Sequence, residues 1–231
     1  MSVPADSIPE KRKLIAYAAP MLVFIGMLAV ASLIRHSSGP LWFTAPELWI
    51  FPLQTLFCAG ILFYFRRSYE PLRWQKLGFA CAIGLVALII WIAPQQFLGF
   101  PSRIVGFNPE LLSAQPTLYW STIGMRFLRL VVVVPLVEEI FWRGFLLRYL
   151  ISENFSSVAF GTFSWFSFAI TTLAFAFSHA IADWPAALAT GALYNSLAYR
   201  TKNLGACVVA HAVTNLLLGL WIMKTRQWGF W

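Results

Sequence analysis

The chain has 231 residues, of which 59% are hydrophobic and only 11% are charged, and its mean hydropathy is +0.70. A soluble domain carries about 25% charged residues, so the composition excludes a soluble protein and indicates an integral membrane protein. The net charge of +8 does not indicate a nucleic-acid partner, because the basic residues cluster beside apolar runs rather than along one face.

Three apolar runs in the first hundred residues predict membrane-spanning helices. The first, residues 14–34, contains no charge and reaches ~31 Å at ~1.5 Å per residue, enough to cross the hydrocarbon core. It exceeds the apolar region of about 7–15 residues in a cleaved signal peptide, so we expect it to be retained. The second run is residues 48–65, and the third is residues 77–93, which we expect to end at Pro94.

Four more apolar runs follow a connection at residues 94–119 that is rich in proline and aromatic residues. The fourth run, residues 119–150, is too long for one perpendicular span. Either it tilts, protrudes into water, or breaks at Pro135, which lacks an N–H and would free the carbonyl of Val131. The remaining runs are residues 163–182, 186–199 and 204–223. The chain is therefore predicted to be an all-α polytopic membrane protein with seven transmembrane helices, or eight if the fourth run breaks.

The basic residues favour one orientation in the membrane. With seven spans and a cytoplasmic N-terminus, the inner segments hold ten Lys and Arg residues and the outer segments hold four. The inner ten are Lys11, Arg12, Lys13, Arg66, Arg67, Arg73, Lys76, Arg148, Arg200 and Lys202, and the outer four are Arg35, Arg103, Lys224 and Arg226. This positive-inside bias predicts a cytoplasmic N-terminus. The short chain and its lack of targeting signals favour a bacterial inner membrane.

The fourth run contains two adjacent glutamates and an arginine, each costing roughly 2.5–3.5 kcal/mol at a bilayer centre on insertion scales. Glu139 and Arg143 are four residues apart with the acid first, the favourable geometry for a helical ion pair. Glu138 points about 100° away from Glu139 on a helix, so it is predicted to face a cavity and to serve as a general base. The alternative is that both glutamates are structural partners for Arg126, Arg129 and Arg143.

Two of the three histidines also lie in apolar runs, His179 in the fifth and His211 in the seventh. Asn215 follows His211 by four residues, so the two share one helical face, and Asn195 is a polar residue of the sixth run. Taken singly, an intramembrane histidine is more often a helix-packing residue than a ligand. Together, these polar residues favour one shared site. His179 and His211 are predicted to lie at different depths in the membrane, and they can approach each other if the helices tilt.

Three short motifs carry a resemblance to a known family. Residues 138–143 read EEIFWR and match EExxxR, residues 175–179 read FAFSH and match FxxxH, and residues 211–215 read HAVTN and match HxxxN. In this order, on successive apolar runs, they resemble the CAAX prenyl protease and bacteriocin-processing family of intramembrane proteases, the Abi family that includes the Ras-converting enzymes. The resemblance covers about residues 115–223.

The resemblance implies an all-helical membrane fold around a polar intramembrane cavity, and hydrolysis of a peptide bond. It implies that Glu138 activates a water with help from His179, and that His211 and Asn215 stabilise the oxyanion. Members have been described both as metalloproteases and as metal-independent glutamate proteases. A zinc site with an open position could be formed by Glu138, His179 and His211, but no HExxH motif is present. A divalent metal and a metal-free mechanism therefore both remain open.

The predicted function is an intramembrane endopeptidase in which a glutamate-activated water hydrolyses a membrane-associated or lipidated peptide or protein. Its predicted partners are the lipid bilayer and that substrate, and the Glu139–Arg143 pair has a supporting role. We expect a single membrane domain, with three spans in residues 1–114 and the protease-like core in residues 115–231. Two alternatives are a non-catalytic protein of the same fold, conferring immunity to a peptide toxin or acting as a scaffold, and a transporter with a proton relay.

Overall fold

The computed structural model describes residues 9–101, 103 and 106–231, and within these ranges the regular structure is helical. The first elements are α1 (Glu10–Ile34), the short α2 (Leu41–Thr44), α3 (Glu47–Tyr64) and α4 (Leu77–Phe97). The three apolar runs predicted in this half therefore form α1, α3 and α4. The prediction that the third run ends at Pro94 is wrong, because Pro94 lies in the last turn of α4. A proline there removes a single hydrogen bond close to the helix end.

The fourth run is one continuous helical stretch whose geometry changes along its length. Its segments are α5 (Pro116–Leu128), a π-helical segment (Arg129–Val133), α6 (Val134–Glu139), a second π-helical segment (Ile140–Leu146) and α7 (Leu147–Tyr149). The helix therefore continues through Pro135 and does not break into two spans. At ~1.5 Å per residue the stretch is longer than one perpendicular crossing requires.

A hydrogen bond from another helix explains why this helix continues through Pro135 without a break. In the first π-helical segment the hydrogen bonds join residues five apart, as Val134 N–H donates to the Arg129 carbonyl. In this register Pro135 leaves the carbonyl of Leu130 without its donor, not that of Val131 as the α-helical spacing predicts. The side-chain amide of Asn215 donates to the Leu130 oxygen at 2.8 Å, so the last long helix of the chain replaces the missing backbone bond.

The last three helices are α8 (Trp165–Phe177), α9 (Trp184–Thr201) and α10 (Leu204–Thr225). The prediction that the fifth run continues to residue 182 is wrong, because α8 ends at Phe177. After that end, the Ser178 hydroxyl and the His179 ring both bond to the Phe175 carbonyl. His179 therefore lies in the connection between α8 and α9. Pro185 occupies the first turn of α9, as expected.

The helix lengths and compositions identify a polytopic helical membrane protein. In the part of the chain that the structure describes, four helices are long and apolar enough to cross a membrane, namely α1, α3, α4 and α10. The 13-residue α8 is also apolar but shorter. The count of seven transmembrane helices stays a prediction.

The two ends of the bundle differ in charge. At one end, here called the basic end, side-chain contacts join the start of α1, the α3–α4 connection, the segment after α7 and the α9–α10 turn. These contacts are Lys13 to Ser156, Arg148 to Glu70, and Asn203 to Arg73. At the opposite end, Arg103 pairs with Asp183, and Gln96 donates to Gln227. The ten Lys and Arg residues predicted to be cytoplasmic belong to segments at the basic end.

The packing of α4 against α10 fixes the position of the polar face of α10. A Cβ atom added at Gly84 would lie 2.6 Å from the Ala210 carbonyl oxygen, so only glycine allows this close approach. The hydroxyl of Thr214 donates to the Gly84 carbonyl at 2.8 Å and thus ties the two helices together. Helices from before and after residue 114 are packed together here, and the proposed division at that residue stays a prediction.

Candidate functional site

A cavity of about 240 Å³ lies between α1, α4, α6, α9 and α10. The four residues predicted to be catalytic come from three elements, namely α6, the α8–α9 connection and α10, and all four line this cavity. They are Glu138, His179, His211 and Asn215. The cavity therefore brings together polar groups that are up to 77 residues apart in the chain, from Glu138 to Asn215.

Glu138 presents a largely buried carboxylate to the cavity. The residue is 7% exposed, and its Oε2 atom is buried without a hydrogen-bond partner among the described residues. Neither Arg126 nor Arg129 forms an ion pair with it in the described part of the chain. The alternative in which both glutamates are paired with arginines therefore holds for Glu139 alone. A buried acceptor with no protein donor is available to a water molecule or a substrate group.

The neighbouring Glu139 is fully buried and engages two partners. Its Oε1 atom accepts hydrogen bonds from Arg143 Nη1 at 2.9 Å and from His211 Nδ1 at 2.8 Å. The predicted pair between Glu139 and Arg143 is confirmed. The bond to His211 was not predicted, and it means that His211 contacts the second glutamate rather than Glu138. Because Nδ1 is held by Glu139, the ring orientation is fixed and Nε2 is left for the cavity.

Arg143 connects this acid to two further helices. Its Nε atom donates to Asn195 Oδ1 at 3.1 Å, and its Nη2 atom donates to the Gly191 carbonyl at 3.3 Å, both on α9. The Asn195 amide donates in turn to Thr172 of α8 at 3.0 Å. The guanidinium is 1% exposed, so this network is shielded from water and rigid. It fixes α8, α9 and α10 around the helix that carries both glutamates.

His179 is oriented by the end of α8 and by an aromatic neighbour. Its Nδ1 atom lies 2.7 Å from the Phe175 carbonyl, so Nδ1 carries the proton and Nε2 is the free nitrogen. Its ring meets the edge of Trp91 with centroids 5.4 Å apart. The indole of Trp184 donates to the His179 carbonyl at 3.1 Å and fixes the backbone of the connection. His179 thus faces the cavity from outside the helices.

Asn215 has a structural contact as well as a place in the cavity wall. Its amide nitrogen donates one hydrogen to the Leu130 carbonyl, the oxygen that Pro135 leaves without a donor. A side-chain amide carries two hydrogens, so the second can be directed into the cavity. The same contact joins the helix of the glutamates to the helix of His211 and sets their separation.

The residues considered as zinc ligands do not form a metal site in this arrangement. Glu138, His179 and His211 line one cavity, yet among the described residues no group of three or more His, Cys, Asp or Glu side chains is placed to hold a metal ion. The Nδ1 atoms of both histidines are hydrogen-bonded, which leaves each Nε2 atom as the nitrogen that could act as a ligand. As placed, however, the described side chains do not form a three-ligand zinc site, and no step below passes through a metal.

Other cavity residues were missed by the sequence reasoning. Arg129 and Trp91 both line the cavity, and α1 contributes Phe24 to its wall. Arg129 donates from Nε to Gln54 Oε1 at 2.6 Å, and the Gln54 amide donates to the Phe24 carbonyl at 2.7 Å. A polar glutamine within the second apolar run was the signal for this link. For Trp91 no signal separates a cavity residue from a lipid-facing one.

Comparison with known proteins supports the resemblance stated from the motifs. Residues 120–217 match the family described as type II CAAX prenyl endopeptidase, Rce1-like. The matched segment contains all three motifs, from Glu138 to Asn215, and ends two residues after the last of them. A search of curated proteins and a search of solved structures each found no match.

Proposed function

We propose that this membrane protein, a member of the Rce1-like family of type II CAAX prenyl endopeptidases over residues 120–217, is an intramembrane endopeptidase whose cavity hydrolyses a peptide bond with a glutamate-activated water. Membership of this family suggests a CAAX-type protease. The observation that carries the proposed mechanism is the convergence of Glu138, His179, His211 and Asn215 on one cavity of about 240 Å³.

Glu138 has the environment that a general base requires. Its Oε2 atom is buried and has no protein partner among the described residues, so it can accept a hydrogen bond from a water in the cavity. As the water oxygen attacks the substrate carbonyl carbon, the Glu138 carboxylate takes the water proton. Collapse of the tetrahedral intermediate breaks the C–N bond, and the same proton passes to the leaving amine. His179 lines the same cavity and has Nε2 as its free nitrogen, so it can hold this water in line for attack.

Two groups on α10 can stabilise the oxyanion. The second amide hydrogen of Asn215 is one donor. His211 supplies the other when its ring is protonated, because Glu139 then balances the charge at Nδ1 while Nε2–H donates into the cavity. Losing one donor of this kind costs about 2.7–4 kcal/mol of barrier in other hydrolases. The buried Glu139–Arg143 pair supports the reaction by holding His211 in place.

The cavity lies nearer to the end of the bundle opposite the basic end. Its lining residues include the C-terminal part of α1 and of α4, the middle of α9 and the α8–α9 connection. Under the positive-inside rule the basic end is cytoplasmic. The N-terminus would then be cytoplasmic, and the substrate bond would reach Glu138 from the other side of the membrane. Apolar wall residues such as Met21, Phe24 and Leu28 suit a membrane-associated or lipidated peptide.

The proposal is tested with purified protein in liposomes and a pool of randomised peptides that carry an N-terminal palmitoyl anchor. We expect mass spectrometry to detect anchored fragments, and in ¹⁸O-labelled water the new carboxyl group should contain one ¹⁸O atom. The unanchored pool controls for the membrane requirement. If the wild-type protein yields no more fragments than the Glu138→Gln variant, the proposed peptidase function is wrong.

A further inference from the structure

We propose that two buried arginines, Arg126 and Arg129, form a subsite that binds a carboxylate of the peptide substrate beside the candidate catalytic cavity. The proposal rests on the proposed peptidase function for the nature of its ligand. The carboxylate can belong to an acidic side chain or to a peptide C-terminus, and the experiment below separates these two sources.

The two guanidinium groups are buried, and no carboxylate of the described residues pairs with them directly. Each residue is 6% exposed, and within the described residues neither forms a salt bridge. The Nε atom of Arg126 is buried and has no hydrogen-bond acceptor among those residues. The arginines are three residues apart, so they lie on one helical face and repel each other. Two neighbouring positive charges without a direct ion-pair partner are unfavourable in a buried site unless an anion accompanies them.

A second cavity, which adjoins the candidate catalytic cavity, places these arginines beside it. It has a volume of about 190 Å³ and is lined by Arg126 and Arg129. It shares five wall residues with the first cavity, which are Arg129, Leu130, Asn215, Leu218 and Phe230. A peptide held near Asn215 can therefore extend into the second cavity. Arginine binds carboxylates through two parallel N–H donors, which makes a carboxylate the best match for this wall.

The groups that contact the arginines directly orient them but carry no opposite charge, and the nearest acids, Glu138 for Arg129 and Glu47 for Arg126, form no salt bridge with them among the described residues. Arg126 lies over Trp231 and Phe107, with ring centroids 4.8 and 4.9 Å away. Arg129 lies over Phe51 at 4.2 Å and donates to Gln54. Such cation–π contacts hold the guanidinium planes and exclude water. They leave the net charge of the subsite in place.

One acid, Glu47, approaches Arg126 from the side away from the second cavity and does not act as its counter-ion. Glu47 lines a small separate cavity of about 20 Å³ together with Arg126, outside the two adjoining cavities. Its Oε1 atom is engaged by Arg35, and its Oε2 atom has no hydrogen-bond partner among the described residues, so Arg126 does not bind either oxygen. Glu47 and Arg126 are too far apart to form a salt bridge with each other. The face of Arg126 toward the second cavity is therefore the place for an external anion.

Position along the helix favours a substrate carboxylate over a lipid phosphate. Arg126 lies roughly 15 Å along the helix from Pro116, at ~1.5 Å per residue, and is almost fully buried. Leu218 and Ile222 form apolar walls of the same cavity. A phospholipid would have to bring its headgroup below the membrane surface to reach this position, whereas a peptide in the first cavity is already beside it.

The test measures binding separately from cleavage, with the full chain carrying Glu138→Gln to prevent turnover. Three dye-labelled 12-residue peptides of alanine and leucine are compared by fluorescence anisotropy in phosphatidylcholine nanodiscs. One ends in a free carboxylate, one ends in an amide, and one is an amide with a single internal glutamate. We expect at least one carboxylate peptide to bind about tenfold or more tightly than the neutral amide, as charged hydrogen bonds allow.

Adding Arg126→Gln should reduce the preference for the carboxylate peptide to about one, because the anion loses its main donor. Lys224→Gln is the matched control, since Lys224 is an exposed cation of the same chain that lines neither cavity. The thermal stability of the Arg126→Gln protein should be unchanged or higher, because a buried repulsion is removed.

Three results would overturn the subsite. The peptides could bind equally or not at all to the Glu138→Gln protein. The Arg126→Gln change could leave the preference intact. Phosphatidylglycerol in the nanodiscs could raise thermal stability in an Arg126-dependent way while carboxylate peptides do not compete, which would assign the arginines to a lipid phosphate. None of these results depends on catalysis, so the peptidase proposal would stand or fall by the cleavage experiment alone.

Discussion

Replacing Arg143 by methionine should destabilise the protein strongly, because Arg143 is the counter-ion of a fully buried carboxylate. Glu139 is 0% exposed and Arg143 is 1% exposed, and the guanidinium also bonds Asn195 and the Gly191 carbonyl. Removing one partner of a buried ion pair costs about 3–5 kcal/mol. For a chain of this length, 1 kcal/mol shifts Tm by about 2–4 °C, so Arg143→Met should lower Tm by about 6–20 °C.

The assay is thermal unfolding in detergent, followed by the fluorescence of a dye that reacts with the thiols of Cys58 and Cys207, which are buried in the fold and become exposed on unfolding. Arg66→Met is the matched control, since Arg66 is an exposed arginine at the basic end, and it should change Tm by no more than about 2 °C. The double variant Glu139→Gln/Arg143→Met should recover part of the loss, because it removes both charges while the new side-chain amide at position 139 can still accept from His211. If Arg143→Met unfolds at the wild-type temperature, the buried network does not stabilise the site.

Two further predictions concern the helix of the glutamates and the side of the membrane that the cavity faces. Asn215→Ala should destabilise the protein by about 1–3 kcal/mol, because the Leu130 carbonyl loses its donor. Adding Pro135→Ala should restore stability, because alanine supplies a backbone N–H to that carbonyl. If the double variant is no more stable than Asn215→Ala alone, this role of Asn215 is wrong. In a cysteine-free background, Ser178→Cys should react with a membrane-impermeant maleimide from outside the cell and Ser156→Cys only after lysis, whereas the reverse pattern would overturn the orientation.

The helices and the local ion pair could be predicted from the sequence because both depend on short-range patterns. The runs of apolar residues predicted α1, α3 and α10 to within a few residues at each end. The pairing of Glu139 with Arg143 followed from their spacing of four residues. The motifs also grouped His179 with Glu138, which share a cavity wall in the structure.

The tertiary contacts of the site could not be predicted, because they join residues far apart in the chain. Spacing does not indicate which glutamate His211 contacts, and the contact is with Glu139. The early end of α8 depends on bonds from the side chains of Ser178 and His179 to one carbonyl, which compete with the helix. The π-helical register around Pro135 depends on Asn215, 80 residues later in the chain.

The three motifs also gave no indication that the N-terminal helices contribute residues to the site. Phe24 of α1 and Trp91 of α4 form cavity walls, and Gln54 of α3 holds Arg129. Apolar wall residues look the same in sequence whether they face a cavity, another helix or lipid. Among these residues only Gln54, a polar side chain in an apolar run, carried a usable signal.

The most direct test of the central claim is the cleavage rate of the Glu138→Gln protein on a palmitoylated peptide that the wild-type protein cleaves. Glu153→Gln, at an exposed acid of the same chain, is the control for removing one carboxylate. We predict that Glu138→Gln lowers kcat/KM by about 10²–10⁴-fold, the usual contribution of a general base, while Tm stays at the wild-type value and Glu153→Gln cleaves normally. Cleavage by Glu138→Gln within about twofold of the wild-type rate would contradict the assignment of Glu138 as the base.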